Sequence, residues 1–99
     1  MAAGDAYVVQ SAAVANGSFL DLQPTAGLEV VVHNIYVPIQ ASFELYWYDG
    51  TNTIKFDLDL GGVGGRFNQQ FHCTNAKYVR VKNTSGSAQN LGADGIYTK

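Results

Sequence analysis

A chain of 99 residues with 46% hydrophobic and 14% charged side chains has the composition of one folded domain, too short for two cores and too apolar for disorder. Its net charge of −2 combines eight acids with six dispersed bases, which excludes the clustered cations that nucleic-acid phosphates require. The lone cysteine, Cys73, excludes an intramolecular disulfide, and no run approaches the ~20 apolar residues of a membrane-spanning helix.

One domain over residues 1–99 is therefore expected, with the first five residues as a mobile arm. Met1-Ala2-Ala3-Gly4-Asp5 has neither the basic nor the apolar segment of a secretory signal, so manufacture in a reducing cytoplasm is expected. The hydrophobic period along the chain is two. Strands are predicted at about 6–14, 17–23, 28–37, 42–48, 53–60, 66–72, 77–83 and 88–98. Eight short strands at such spacing mark an all-β, antiparallel sandwich of jelly-roll-like form. Ser11 to Ala15 is alanine-rich but too short for a stable helix.

Turn residues punctuate these runs. Asn16-Gly17 is a hairpin candidate, Pro24 to Gly27 a turn, and Asp49-Gly50-Thr51-Asn52 the strongest hairpin signal. Gly61 to Gly65 reads as a flexible strand connection.

Alternation assigns faces. Ile54, Phe56, Leu58 and Leu60 are expected inside, with Lys55, Asp57 and Asp59 on a solvated face. Val79 and Val81 are likewise expected inward. Between Leu28 and Val37, Val30, Val32 and Tyr36 would share one face, and Val31, Ile35 and Val37 the other. Phe43, Leu45 and Trp47 share a face opposite Glu44, Tyr46 and Tyr48. A strand apolar on both sides needs cover on both, and the chain is too short for a third layer. The Tyr46/Tyr48 face is therefore expected to meet another subunit.

No constellation points to catalysis, and no cofactor is expected. Asp57 and Asp59 lie about 7 Å apart on one strand, whereas glycosidase carboxylates flank substrate from different elements. Adjacent His72 and Cys73 would point to opposite faces, and neither they nor His33 has the ligand spacing of a zinc site. The glycine loop lacks the Lys-Ser/Thr and following helix of a phosphate cradle. Tyr46, Trp47, Tyr48 and Tyr78, beside Asn52, Asn68 and Gln69, could offer a carbohydrate-stacking platform.

The segments His33-Asn34-Ile35-Tyr36-Val37, Phe43-Glu44-Leu45-Tyr46-Trp47-Tyr48-Asp49-Gly50 and Phe71 to Gly86, with Tyr78-Val79-Arg80-Val81-Lys82-Asn83-Thr84-Ser85-Gly86 at its end, resemble small β-sandwich virion proteins of tailed bacteriophages. These are head decoration (cement) proteins and related tail and fibre accessory modules. The likeness runs from about Leu28 onward, and a long capsid-anchoring N-terminal arm is missing from it. It implies a non-catalytic virion protein, made in the host cytoplasm, that binds the major capsid protein or other virion proteins and stabilises the assembled shell. It also implies a homo-oligomer, a trimer being favoured, with no nucleic-acid or membrane partner. Tyr46 and Tyr48 would pack subunits, and the Gly61–Gly65 loop and the N-terminal arm would contact the shell, so that the interface residues expected are Tyr46, Tyr48, Gly62, Val63, Gly64 and Arg66. The alternative is a carbohydrate- or receptor-binding module of a tail or fibre.

Overall fold

A computed structural model describes residues 3–99 and contains nine strands. They are β1 (Ala6–Val14), β2 (Phe19–Asp21), β3 (Glu29–Tyr36), β4 (Phe43–Tyr48), β5 (Thr53–Asp59), β6 (Gly65–Arg66), β7 (Phe71–Thr74), β8 (Tyr78–Asn83) and β9 (Gln89–Tyr97). One sheet runs β1-β9-β3, with β6 and β7 both on the free side of β3; the other runs β2-β8-β4-β5. All pairings are antiparallel.

The strand expected at 66–72 is thus broken. Asn68 adopts φ 58°, and its N–H bonds the Asn34 side chain, so residues 67–70 leave the ladder before β7 rejoins β3. Taken as one interrupted strand, β6 and β7 make eight positions in the jelly-roll order 1-8-3-6 facing 2-7-4-5. This is the antiparallel sandwich that the period-two pattern predicts.

The core lies between the sheets. Val30, Val32 and Ile35 from one sheet meet Phe43, Leu45, Val79 and Val81 from the other, all fully buried. The expected inward placement of Val79, Val81, Phe43 and Leu45 therefore holds, and Trp47 packs at the margin.

Three bulges change what simple alternation predicts. In β3 the register with β9 slips between Val32 and Asn34, leaving His33 as the extra residue. The phase shifts there, so Val30, Val32, Ile35 and Val37 all face inward, while Tyr36 is exposed and Val31 lies outside. The expected grouping of Tyr36 with Val30 and Val32 is corrected accordingly. Gly95 permits the tight approach beside the bulge, because a Cβ there would lie 2.0 Å from the Val31 carbonyl oxygen. In β5 the slip falls between Lys55 and Asp57, opposite Leu45 and Tyr46. A third lies in β1 between Ser11 and Val14.

The hairpin at Asp49–Asn52 forms as expected: Asp49 Oδ1 accepts the N–H groups of Thr51 (3.0 Å) and Asn52 (2.7 Å). Asn16-Gly17 is instead a crossing between sheets, since β1 and β2 belong to different ones. Of the expected arm, Met1 and Ala2 lie outside the described residues. Gly4 N–H donates to the Tyr97 carbonyl, and Tyr97 N–H to that of Asp5, so these two are bound to β9.

Candidate functional site

The β5 bulge decides the electrostatics of the molecule. Beyond Phe56, the side chains of Asp57 and Asp59 pair with Leu45 and Phe43 on the inner face, where they meet Arg66 of the opposite sheet. Arg66 Nε lies 2.6 Å from Asp57 Oδ2, Nη2 3.1 Å from Oδ1, and Nη1 3.4 Å from Asp59 Oδ2. Its guanidinium also sits 5.2 Å from the Phe43 ring centroid. This fork holds the Asp57 carboxyl below its ordinary pKa and raises that of Arg66. The solvated acidic face expected from alternation is therefore an inter-sheet clasp.

The same inversion turns Leu58 and Leu60 outward, whereas Ile54, opposite Trp47 before the bulge, is on the inner side but stands exposed at the open margin of the edge strand. Ile54, Phe56, Leu58 and Leu60, expected in the core, are exposed by 58%, 42%, 48% and 88%. Ile54 and Phe56 line an open groove of about 340 Å³ with Trp47, Gln70, Phe71 and His72, where the sheets part between β5 and β7. The Phe56 and Phe71 rings meet edge to face at 5.5 Å.

Farther along β5, two loops form an apolar tip. Gly62 N–H donates to the Ile39 carbonyl at 2.5 Å, and Val37 N–H to that of Gly64 at 3.0 Å. Gly61 lies so close to the Gln40 carbonyl that a Cβ would approach it to 2.8 Å. Ile39, Leu60 and Val63 project from these joined loops, exposed by 65%, 88% and 46%. The expected flexible connection Gly61–Gly65 is thus fastened to Pro38–Ala41.

Tyr46 and Tyr48 lie on the outer face of the smaller sheet, away from the tip. That face is half-covered by its own cations. The Arg80 guanidinium stacks 4.1 Å from the Phe19 centroid and 4.8 Å from that of Tyr48, while Nε binds Asp21 at 2.7 Å. Lys82 lies 5.9 Å from both Phe19 and Tyr46. The Tyr46 hydroxyl donates to Glu44, which lowers the Glu44 pKa and raises that of Tyr46. Of the six interface residues read from sequence, Gly62, Val63 and Gly64 gather at the tip. Arg66 is committed to the clasp, and Tyr46 and Tyr48 stand on a separate surface.

The carbohydrate platform read from sequence comes together only in part: Tyr46, Tyr48 and Tyr78 share the outer face of the smaller sheet, the last two meeting edge to face at 5.6 Å. Trp47 faces the core side, opposite Tyr46 and Tyr48, and Asn68 and Gln69 belong to the other sheet. Those amides instead line a shallow polar hollow with His33, Asn34 and Gln70, near the tilted Tyr36–Phe67 pair. His33 is half-buried at the bulge. His72 and Cys73 do point to opposite faces: His72 pairs with Glu29 at 2.9 Å, whereas Cys73 is fully buried, its pKa pushed up to about 11. Among the described residues no three His, Cys, Asp or Glu side chains converge as a metal site.

The outer face of the larger sheet is poor in free charge and carries an open hollow of about 290 Å³ between Val8, Gln10, Tyr36, Gly92 and Asp94. Cross-strand rows run Ala6–Ile96–Val31, Val8–Asp94–Asn34 and Gln10–Gly92–Tyr36. Val8 is 71% exposed. The single carboxylate in these rows, Asp94, accepts from Asn34 at 2.8 Å and from the Tyr36 hydroxyl at 2.7 Å. Sequence reasoning missed this face because it is assembled from β1, β3 and β9.

No protein-family model matches the chain, and no curated protein matches it.

Proposed function

We propose that the chain is a non-catalytic structural module that decorates an assembled bacteriophage capsid and stabilises it by binding its major capsid protein. The observation that carries this reading is the distribution of apolar surface. Ten large hydrophobic side chains are exposed among the described residues, while Asp57, Asp59 and Arg66, and likewise Asp21 and Arg80, are bound to one another. Such a surface gains free energy by burial against a partner, without stripping water from unpaired charges. The charge-poor Val8/Ile96/Tyr36 face is the seat for a shell. Weak contacts repeated at every lattice position stabilise the assembled state by mass action. The resemblance of the segments from Leu28 onward to phage virion sandwiches supplies the kind of partner; the jelly roll alone supplies none.

Quantitative mass spectrometry of purified virions of the source phage tests this reading. A copy number comparable to that of the capsid subunit is expected. A few tens of copies would move the protein to a vertex or tail, and absence would overturn the reading. Shells lacking the protein should also take up added wild-type chain, and take up Val8→Asp weakly.

A second reading, a carbohydrate-binding module of a tail or fibre, draws on the hollow of Asn34, Asn68, Gln69 and Gln70 beside the Tyr36 and Phe67 rings. Amide groups next to exposed aromatic rings suit sugar hydroxyls and ring faces. A glycan array separates the two readings, since shell decoration requires no glycan signal.

A further inference from the structure

On the outer face of the larger sheet, β9 has no side chain at Gly92, in the row between Gln10 of β1 and Tyr36 of β3. This gap lies in the hollow of about 290 Å³ that Val8, Tyr36 and Asp94 also line. Asp94 stands in the next outward row, between Val8 and Asn34. Its carboxylate is the one charged group lining the hollow; the other lining residues are apolar, neutral amides or the Tyr36 phenol.

Asp94 differs from the acids on the rest of the surface. Asp21, Glu29, Glu44, Asp57 and Asp59 each pair with a cation of the chain. Among the described residues no cation pairs with Asp94. Its oxygens take one neutral donor each, Asn34 Nδ2 on Oδ1 at 2.8 Å and the Tyr36 hydroxyl on Oδ2 at 2.7 Å. A carboxylate offers about four acceptor sites, so one on each oxygen remains open. No group of three metal-ligating side chains forms among the described residues, so nothing here builds a metal site around it.

This arrangement sets a condition on whatever covers the face. Burying Val8, Ile96 and Tyr36 takes Asp94 out of water as well, and a carboxylate buried without a counter-charge is strongly unfavourable. A partner that is purely apolar or acidic at this point is therefore disfavoured. A guanidinium meets the condition, because two of its N–H groups match the two open acceptor sites. Its alkyl stem can lie along Val8 over the Gly92 gap, and the Tyr36 ring is a further partner for a cation.

We propose that the Gly92 hollow is the socket for an arginine side chain of the protein that covers this face, with Asp94 as its counter-ion. The proposal rests on the reading of that face as the seat for a shell, and names what the shell must present there.

Binding isotherms of the full chain on shells that lack it test the two separately. Wild type should bind, and Asp94→Asn should bind roughly tenfold or more weakly, because it leaves the arginine buried without its counter-charge. Asparagine keeps the shape and can still accept from Asn34, and urea unfolding verifies that the fold survives. Glu44→Gln removes the same charge from the outer face of the smaller sheet and should bind as wild type does. Gly92→Leu, which fills the hollow, should also bind weakly. Shells whose arginines are blocked with phenylglyoxal should no longer distinguish wild type from Asp94→Asn. Wild type that does not bind untreated shells overturns the shell reading and the socket together. If wild type binds, the socket alone is overturned by Asp94→Asn or Gly92→Leu binding as tightly, by Glu44→Gln losing as much as Asp94→Asn, or by a difference that survives phenylglyoxal.

Discussion

Arg66 on β6 grips Asp57 on β5 through two hydrogen bonds, of 2.6 and 3.1 Å, and so ties the edge strand of one sheet to the edge of the other. Both side chains are partly exposed, at 23% and 32%, which reduces the energy of the pair; its two-pronged geometry restores some of it. Arg66→Met should cost about 1–2 kcal/mol in urea unfolding. A cycle with Asp57→Asn should return most of that cost as coupling. Additive losses would mean that the clasp contributes packing and little else.

The clasp also sets a pH dependence. Asp57 has a lowered pKa in the folded state, chiefly through its hydrogen bonds to Arg66. Below its ordinary value the unfolded chain takes up the proton first, so folding stability rises with pH across that window. The contribution is complete above the ordinary carboxylate range and is lost as pH falls through the depressed folded value. Unfolding free energies of wild type and Asp57→Asn should therefore differ at pH 7 and converge on acidification.

Period-two alternation made the core strands legible. Phe43, Leu45, Val79 and Val81 lie in uninterrupted stretches, and their faces follow from sequence alone. Face assignment fails wherever a bulge inserts one residue. At His33 the slip carries Ile35 to the core and Tyr36 out; at Phe56 it turns Asp57 toward Arg66 and leaves Leu58 and Leu60 in solvent. A bulge is specified by its cross-strand partner, here Gly95 for β3, and that partner is more than sixty positions away in the chain. The candidate surfaces were hidden for the same reason. Ile39 joins Leu60, and Ile54 joins Phe71, only after the sheets assemble.

Gly95→Ala tests the bulge directly. The added Cβ would meet the Val31 carbonyl oxygen at 2.0 Å and the Val32 Cα at 2.8 Å, both of them backbone atoms of a central strand. Neither can move without disturbing β3, so a loss above roughly 3 kcal/mol is expected. Gly62→Ala meets no neighbouring atom and should cost about 1–2 kcal/mol, from its positive φ of 102°. Similar losses at both sites would show that β3 adapts where the structure requires it rigid.

Asn83 is the buried polar side chain at the inner end of β8, and its amide joins three segments. Nδ2 donates to the carbonyls of Val14 (2.8 Å) and Ser87 (2.7 Å), while Oδ1 accepts from Ser85 N–H (2.9 Å). Leucine or alanine there would strand two carbonyls and an N–H, at a cost of about 2–4 kcal/mol. Asn83→Asp separates polarity from shape. An ionised carboxylate would face the Val14 and Ser87 carbonyl oxygens, whereas the protonated acid can still donate to one of them. Its folded pKa must then lie above the ordinary value, so the variant should be less destabilised at acid pH and lose stability as pH rises. Chemical unfolding at pH 4 and pH 7 measures the difference. A variant equally stable at both would mean that water reaches Asn83, and that the three bonds do not close off this end of the sandwich.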